Sequence, residues 1–418
     1  MINIKFLIKI KKKIKKNNFL ILIFLPLSFF ILIFIILIRP IKKIKIGDIR
    51  AHRLGNFIGD TEIYLSSRNL LSKKDLILFL LARPVSNEFV ATLIKRNLIV
   101  LPYFILFPIY FVLKKNEKIK FFNVHLFDIR HFGRVLNHVL RKSSVNLSLT
   151  KEEKDRGQSF LRSLGIMKED KFVCLVNRES NYLKNLKLET FDYKANAFRN
   201  TDIESYKLAC EEILKKGYYI FRMGRDVTPA NINHDKFIDY ANSKFVSDFL
   251  DIFLGSECEF AFGDTDGWIW VPMAFRKPMA ITNFVPAGIA GLHSENLLYL
   301  FKHYYDSKTK RNLNLNEIFN FDLAFSFYDK TFDKKRFSLK DNTSEEIKDI
   351  VLELESKVNN KWIEIPEDKN LKEKFINVFQ NHPISHRWSH LPDGRIRNKK
   401  ILGSYSTNFL RKNKNWIY

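Results

Sequence analysis

Four short apolar runs alternate with longer segments between residues 171 and 286, and this alternation constrains the fold more than any other feature of the sequence. The runs are Phe172–Val176, Tyr218–Met223, Glu259–Phe262 and Met279–Thr282. Each run has the length of a strand, and the segments between them are long enough for helices. Because strands that alternate with helices form parallel sheets covered on both faces, this region predicts an α/β unit.

The segments between the runs carry start and stop signals for helices. Thr201 and Glu204 have the spacing of a capping box, and Gly217 stands where the helix would end. Ser247 and Gly255 bracket a second, shorter helix in the same way. These signals support the alternation of strand and helix, and they predict Thr201 as a helix cap.

Arginines and glycines follow the predicted strands. In open parallel sheets, ligands bind at the carboxyl ends of the strands. The sequence places the following features there: Arg178, Arg199, Arg222, Gly224 and the Gly-Asp-Thr-Asp-Gly loop at 263–267. This edge of the sheet is therefore the predicted binding site.

A set of motifs in fixed order resembles a known family. Arg-Asn-x-Asp at 199–202 is followed by Arg-Met-Gly at 222–224, Ser-Asp-Phe-Leu-Asp at 247–251, and G-x-x-x-G-x-x-x-x-P-x-x-F-x-x-P at 263–278. Together with the segments at 52–65 and 395–413, this set is similar to a family of bacterial glycosyltransferases associated with surface-polysaccharide synthesis. The resemblance spans most of the chain after the first forty residues.

The resemblance implies the GT-B fold, in which two Rossmann-like domains with parallel sheets face each other. It implies a nucleotide-diphosphate sugar as donor, bound in the second domain by Arg178, Asn200, Asp202, Arg222, Gly224, Gly263, Thr265, Asp266 and Gly267. It also implies a glycan or lipid-linked acceptor that meets the first domain at His52, Arg53, Gly55 and Asn56.

Two residues are candidates for catalysis in such an enzyme. Arg199 precedes a helix, so its guanidinium and the helix N-terminus would stabilise the leaving diphosphate; the alternative is a local ion pair with Asp202. Asp60 is placed either to act as general base toward an acceptor hydroxyl or to cap a helix predicted at Thr61–Leu71. Of these two roles for Asp60, we expect the cap.

The loop at 263–267 departs from the family, in which small hydroxylated residues are expected between the two glycines. Asp264 and Asp266 would repel a diphosphate in a poorly solvated cleft. Three explanations stay open: the carboxylates bind sugar hydroxyls, a divalent metal bridges them, or the donor site is disabled. We favour the first and expect no cofactor, because GT-B chemistry rarely needs a metal.

An apolar segment near the N-terminus predicts a transmembrane helix or other membrane anchor. Phe19–Ile38 contains no charged residue and is long enough to cross a hydrocarbon core of about 30 Å. Arg39 and Pro40 follow it in place of the small residues of a cleavage site, so we do not expect a cleaved signal peptide. Because basic residues flank both ends, a single-pass span and a monotopic hairpin bent at Pro26 both stay open.

A second apolar segment, Leu98–Leu113, is interrupted by Pro102 and Pro108. We expect a core strand and a buried helix here; the alternative is a face of the first domain that inserts into lipid.

Nucleotide sugars are cytosolic, so a glycosyltransferase would keep its catalytic domains on the cytoplasmic side of the bacterial inner membrane.

Charge and cysteine content set further bounds. The net charge of +25 fits a protein beside an anionic membrane. Because the lysines are scattered and no nucleic-acid motif accompanies them, we do not expect nucleic acid as a partner. Three cysteines, an odd number, do not suggest a disulfide framework, which favours a reduced, cytosol-facing protein.

The length of 418 residues suffices for two sizeable domains. We predict a basic N-terminus and anchor at 1–43, an acceptor domain at 44–150, a donor domain at 151–300, and a helical extension at 301–418 that packs back on the first domain. The predicted function is a membrane-associated, hexosyltransferase-like glycosyltransferase of cell-surface glycan synthesis. Two alternatives stay open: a fucosyltransferase-like enzyme, and a non-catalytic glycan-binding or assembly subunit with a disabled donor site.

Overall fold

The computed structural model describes residues 19–68, 75–129, 140, 143–179, 194–289, 296–326, 333–385 and 403–418. Residues 395–402 of the C-terminal motif lie outside these ranges. The chain divides into two compact units, Met1–Phe132 and Gly133–Tyr418. Each unit contains a parallel sheet against which helices pack, so the predicted α/β class is confirmed.

The first unit is built on a three-stranded sheet. Its described elements are α1 Phe19–Leu37, β1 Ile44–Ile49, α2 Leu54–Ser67, β2 Leu76–Leu81, α3 Glu88–Asn97, α4 Tyr103–Lys115, α5 Lys120–Asn123 and β3 Leu126–Phe127. The strand order is β2–β1–β3, and both pairings are parallel. The helix expected within Leu98–Leu113 is confirmed as α4, whereas the expected strand is reduced to a single bridge between Val100 and Phe79.

The second unit contains a seven-stranded sheet and a smaller one. Its described helices and strands are α6 Lys151–Ser163, β4 Phe172–Val176, α7 Lys207–Lys215, β5 Tyr219–Met223, β6 Phe237–Ile238, α8 Asp248–Glu257, β7 Ala261–Gly263, α9 Trp270–Ala274, β8 Met279–Phe284, β9 Leu297–Phe301, β10 His303–Asp306, β11 Arg311–Asn312, α10 Leu315–Asn320, β12 Phe337–Lys340, α11 Ser344–Val358, α12 Pro366–Asn381, β13 Ser404–Tyr405 and α13 Thr407–Lys412. Short 3-10 helices include Lys194–Arg199 and Ile203–Tyr206.

The large sheet is doubly wound. Its strand order is β13–β9–β8–β7–β4–β5–β6, and every pairing in it is parallel. From β4 the chain adds β5 and β6 on one side, and then β7, β8 and β9 on the other. The winding therefore reverses between β4 and β7, and the carboxyl ends of these two strands form the topological switch point.

The four predicted strands are confirmed as β4, β5, β7 and β8, with ends within two residues of the predicted ones. Gly217 follows α7 with a φ of 90°, and Ser247 caps α8 by accepting the Leu250 N–H at 3.2 Å. Gly255 does not end α8 but lies inside it. A Cβ there would stand 2.7 Å from Val271 Cγ1, so the glycine allows a close helix contact.

The segment at 301–418 was predicted to be a helical extension, but it also contains strands. Strands β10, β11 and β12 form a small antiparallel sheet, and β13 pairs with β9 at the edge of the large sheet. The described part of this segment therefore folds with the second unit. Strands β10 to β13 all contain polar residues, so they lack the continuous apolar run from which β4, β5, β7 and β8 were predicted. The predicted contact of this segment with the first domain stays a prediction.

Candidate functional site

The candidate site begins where β4 and β7 end side by side. Val176 and Gly263 are partners in the strand register. Gly263 has a φ of 147°, and a Cβ on it would lie 1.8 Å from the carbonyl oxygen of Val176. Only glycine fits this close approach. The loop at 263–267 therefore leaves β7 in direct contact with the backbone of β4.

Asp264 connects three segments at this point, and its side chain is fully buried. Its Oδ2 accepts the backbone N–H of Arg178 at 2.8 Å and the hydroxyl of Thr201. Its Oδ1 is buried, with no hydrogen-bond partner among the described residues. The carboxyl group thus joins its own loop to the segment after β4 and to the segment that precedes α7.

The inward orientation of Asp264 changes the expected electrostatics of the loop. Burial raises the pKa of this carboxyl to about 7, although the bonds from Thr201 and from the Arg178 N–H act in the opposite direction. A carboxyl that is buried and half-protonated at neutral pH repels a diphosphate much less than two solvent-facing carboxylates would. The sequence-based concern about repulsion therefore applies mainly to Asp266.

We expect the stability difference between Asp264→Asn and the wild type to depend on pH. The folded-state pKa of Asp264, about 7, lies above its ordinary value of 3.8, so the wild type loses stability as pH rises from about 4 to about 7. The asparagine does not titrate. The unfolding free energy of Asp264→Asn minus that of the wild type should therefore increase by up to about 4 kcal/mol as pH rises over this range. Urea unfolding at several pH values measures the difference, and a constant difference would contradict the assigned burial.

The predicted cap at Thr201 is wrong, because its hydroxyl donates to Asp264. Asp202 caps the 3-10 helix Ile203–Tyr206 instead, by accepting the Glu204 N–H at 3.1 Å, and α7 begins only at Lys207. Asp202 therefore has a local structural contact in addition to any contact with a ligand.

Arg199 is bound to the 263–267 loop. Its Nε donates to Thr265 Oγ1 at 3.2 Å, and its Nη2 donates to the Thr265 carbonyl. Asp266 Oδ1 accepts the Trp268 N–H at 2.7 Å and so closes the turn that leads to α9. The guanidinium is half-buried, and these two bonds hold it against the loop.

Arg222 is fully buried near the end of β5. It donates to Asn177 Oδ1 at 2.9 Å and to Glu179 Oε1 at 3.1 Å, and it lies 3.4 Å from Asp239 Oδ1. Glu179 also accepts the Thr228 N–H at 2.9 Å. Through Glu179, Arg222 thus links the loop after β4 to the loop that follows β5 and Gly224.

Lys302 is a further candidate residue at this edge of the sheet, and it was not among the residues predicted from the sequence. It follows β9 directly and is only 4% exposed. Its Nζ donates to the Asn200 carbonyl at 3.1 Å and to Asp341 Oδ1 at 2.5 Å. The apolar run Leu297–Phe301 followed by a cation repeats the pattern of the other strands, so this pattern could have identified Lys302 from the sequence. Lys302 brings a second cation to the segment that contains Arg199.

The acceptor candidates of the first unit lie at the end of β1 and in the first turn of α2. This helix begins at Leu54, so the helix predicted from Thr61 starts a full two turns earlier. Asp60 is therefore not its cap but lies inside it, 3.4 Å from Arg50 Nη2 and 3.3 Å from Asn56 Nδ2. Arg53 stands at the cap position and makes no side-chain cap hydrogen bond.

Two titratable groups in this part of the first unit have shifted pKa values. Burial raises the pKa of Asp60, and the charge and hydrogen bond of Arg50 partly oppose this. Burial, together with Arg53 and Arg50, lowers the pKa of His52. His52 and Arg53 stand beside each other before α2, and Gly55 is buried in its first turn.

Within the described ranges, no group of three His, Cys, Asp or Glu side chains converges to hold a metal ion. A divalent metal between Asp264 and Asp266 would have to take its remaining ligands from water or from a bound substrate.

No protein-family model matches the chain, and no curated protein matches it. Among solved structures, it is similar to a family 9 glycosyl transferase from Veillonella parvula DSM 2008, with 10% identity over 57% of this chain and 79% of that chain and a TM-score of 0.34. It is similar to the ADP-heptose LPS heptosyltransferase II of E. coli, with 11% identity over 57% and 84% and a TM-score of 0.35. It is also similar to the E. coli heptosyltransferase WaaC with ADP, with 10% identity over 62% and 93% and a TM-score of 0.33.

Proposed function

We propose that this chain is a glycosyltransferase that binds a nucleotide-diphosphate sugar at the carboxyl edge of the seven-stranded sheet. The observation that carries this proposal is the position of the site. A doubly wound parallel sheet binds its ligand at the switch point, and here that point holds the loop at 263–267 together with Arg199. Lys302 adds a cation to the neighbouring segment.

The chemistry of sugar transfer matches these groups. The bond between the anomeric carbon and the phosphate oxygen breaks, an acceptor oxygen bonds to that carbon, and negative charge develops on the leaving diphosphate. Fixed cations at that position stabilise the transition state more than the ground state. Arg199 is held in place by Thr265, and Lys302 by Asn200 and Asp341, so neither needs to reorganise during the reaction.

We assign roles to the remaining donor-site residues from their positions. Gly263 and Gly267 let the loop backbone approach the ligand, and Arg178 follows β4 with its Nε buried and unpartnered within the described part of the chain. Asp266 is half-exposed, so we assign it to a sugar hydroxyl. Asp264 holds the loop in place through its bonds with the Arg178 N–H and the Thr201 hydroxyl, and we do not assign it a ligand contact.

On the acceptor side, we propose Asp60 as the general base. It would take the proton of the acceptor hydroxyl as that oxygen attacks the sugar. A base works best when its pKa lies near the operating pH, and burial raises the pKa of Asp60 in that direction. The acceptor we infer is a cell-surface glycan or a lipid-linked glycan, bound near His52, Arg53 and Asn56.

Membrane association is part of the proposed function. Helix α1 alone, among the described helices, is long and apolar enough to cross a bilayer, with a mean hydropathy of 3.3. Ile35 of this helix belongs to the core of the first unit, together with Ile44 and Leu106. Removal of α1 by a signal peptidase would open that core, so we infer that α1 is retained and anchors the protein at the inner membrane.

A panel of nucleotides tests the proposed donor site. We expect nucleoside diphosphates to raise the melting temperature of the full chain in detergent, and to do so more than the matching monophosphates, because Arg199 and Lys302 address the second phosphate. The shift should persist in chelator. A shift that vanishes with chelator would replace the sugar-hydroxyl role of Asp266 by a metal. If no nucleotide produces a shift, the chain is better described as a non-catalytic glycan-binding subunit.

A further inference from the structure

Helix α1 has one buried stripe and one exposed face, although nearly all of its residues are apolar. Ile21, Ser28 and Ile35 are buried, at intervals of seven residues. A seven-residue interval is the repeat of a helix that packs lengthwise against another helix. The opposite face is open to solvent over the full length of α1: Phe19 is 70%, Phe30 67% and Leu37 72% exposed.

The partner of the buried stripe is α4. Near the start of the contact, the rings of Phe24 and Phe104 lie 4.7 Å apart. In the middle, Ser28 Oγ donates to the Ile105 carbonyl at 2.8 Å. Near the end, Ile35 shares a core cluster with Leu113. The two helices therefore run side by side in the same direction.

Helix α4 in turn lies against the sheet of the first unit. Just before it, the Leu101 N–H donates to the Phe79 carbonyl of β2 at 3.0 Å. Leu106 and Ile109 of α4 pack with Ile44 and Ile46 of β1. Helix α1 is thus the outer member of a layer on this sheet and does not project away from the unit.

This packing disfavours a transmembrane orientation of α1. A crossing helix spans about 30 Å of hydrocarbon, and α4 with the adjoining sheet would have to enter the bilayer beside it. Backbone groups of loops and sheet edges find no hydrogen-bond partners in hydrocarbon. If α1 instead lies along the surface, its exposed face enters the acyl region while the sheet stays outside.

The basic residues on both sides of α1 fit binding to the headgroups of a single leaflet. Arg39, Lys42 and Lys43 follow α1, and Lys114 and Lys115 end α4 at the same end of the pair. Seven lysines also precede α1, at positions 5, 9, 11, 12, 13, 15 and 16. Anionic headgroups attract basic segments that lie near the membrane surface. A helix in the membrane plane brings both of its basic flanks to the headgroups of one leaflet.

We propose that α1 is an in-plane membrane anchor that attaches the first unit to one leaflet of an anionic bilayer, with Phe19, Phe30 and Leu37 facing the acyl chains. The proposal rests on the membrane association in the proposed function, and it is independent of the glycosyltransferase chemistry.

Depth measurements along α1 test this proposal. Phe19→Cys, Phe30→Cys and Leu37→Cys place a nitroxide label on the exposed face, one variant at a time, in the full chain. The three native cysteines are buried, so they give little background labelling. The labelled proteins are bound to vesicles of phosphatidylcholine with phosphatidylglycerol. The depth of each label is read from its collisions with oxygen and with a water-soluble nickel chelate.

The in-plane anchor predicts the same shallow depth for all three labels. A transmembrane helix predicts a different profile, since Phe19 and Leu37 are separated by about 27 Å along the helix axis. In that case both would lie near opposite headgroups and Phe30 would be deepest, which would overturn the proposal. Ile363→Cys, at a 76% exposed residue of the second unit, is the aqueous control. Labels on α1 that are as accessible to nickel as this control would overturn the proposal as well.

Discussion

Gly263→Ala is expected to destabilise the second unit by about 3 kcal/mol or more, and to abolish nucleotide binding as a consequence. The new Cβ would lie 1.8 Å from the carbonyl oxygen of Val176, and a φ of 147° is strained for alanine even where space is available. Neither β4 nor β7 can move away, because their registers are fixed by neighbours on both sides. Urea unfolding, followed by tryptophan fluorescence to which the buried Trp268 contributes, measures the loss.

Gly217→Ala is the matched control for this variant. Gly217 also has a positive φ, of 90°, but a Cβ there would meet no atom within 4 Å. The strain of the backbone should therefore cost only about 1 kcal/mol. Equal losses for the two variants would show that the clash with Val176 does not exist, and that β4 and β7 do not meet as described.

Arg199→Ala is expected to lower kcat by about a hundredfold and to weaken the binding of nucleoside diphosphates. The variant loses the cation that we place beside the leaving diphosphate. It also loses hydrogen bonds to Thr265, and these account for a stability loss of only about 1 kcal/mol. Turnover and unfolding measured on the same preparation separate the two effects.

Two variants control the Arg199 experiment. Arg199→Lys should restore part of the activity, because it keeps the charge but loses the planar fork. Arg311→Ala removes an arginine that pairs with Glu317 at 2.5 Å on the small antiparallel sheet, and it should leave turnover unchanged. A large loss of stability in Arg199→Ala with unchanged nucleotide affinity would assign Arg199 to loop structure alone.

Strands β4, β5, β7 and β8 of the second unit could be predicted because each contains a short apolar run that leads into polar residues or glycine. Their order could not, since β9 and β13 pair across more than a hundred residues of chain. Ser404 and Tyr405 form too short a run to be recognised. The sheet therefore extends into a segment that we had predicted to be a separate extension.

The contacts that the candidate site residues make could not be predicted from the sequence. Thr201 and Glu204 do have capping-box spacing, yet the buried carboxyl of Asp264 competes for the Thr201 hydroxyl and takes it. No local pattern reveals this, because the two residues are brought together only by the parallel pairing of β4 and β7. Asp60 was misplaced for a simpler reason. The sequence around it contains two glycines, which suggested a loop, but α2 begins before both of them.

We infer that the carboxyl edge of the large sheet transfers a sugar from a nucleotide diphosphate. Turnover by the full-length protein in lipid vesicles tests it most directly, with radiolabelled nucleotide sugars as donors and with lipid and glycan fractions from the source cell as acceptors. We predict release of a nucleoside diphosphate that requires an acceptor fraction, that transfers label to it, and that is lost in Arg199→Ala. A folded preparation that binds glycan but releases no nucleoside diphosphate from any donor would contradict the claim.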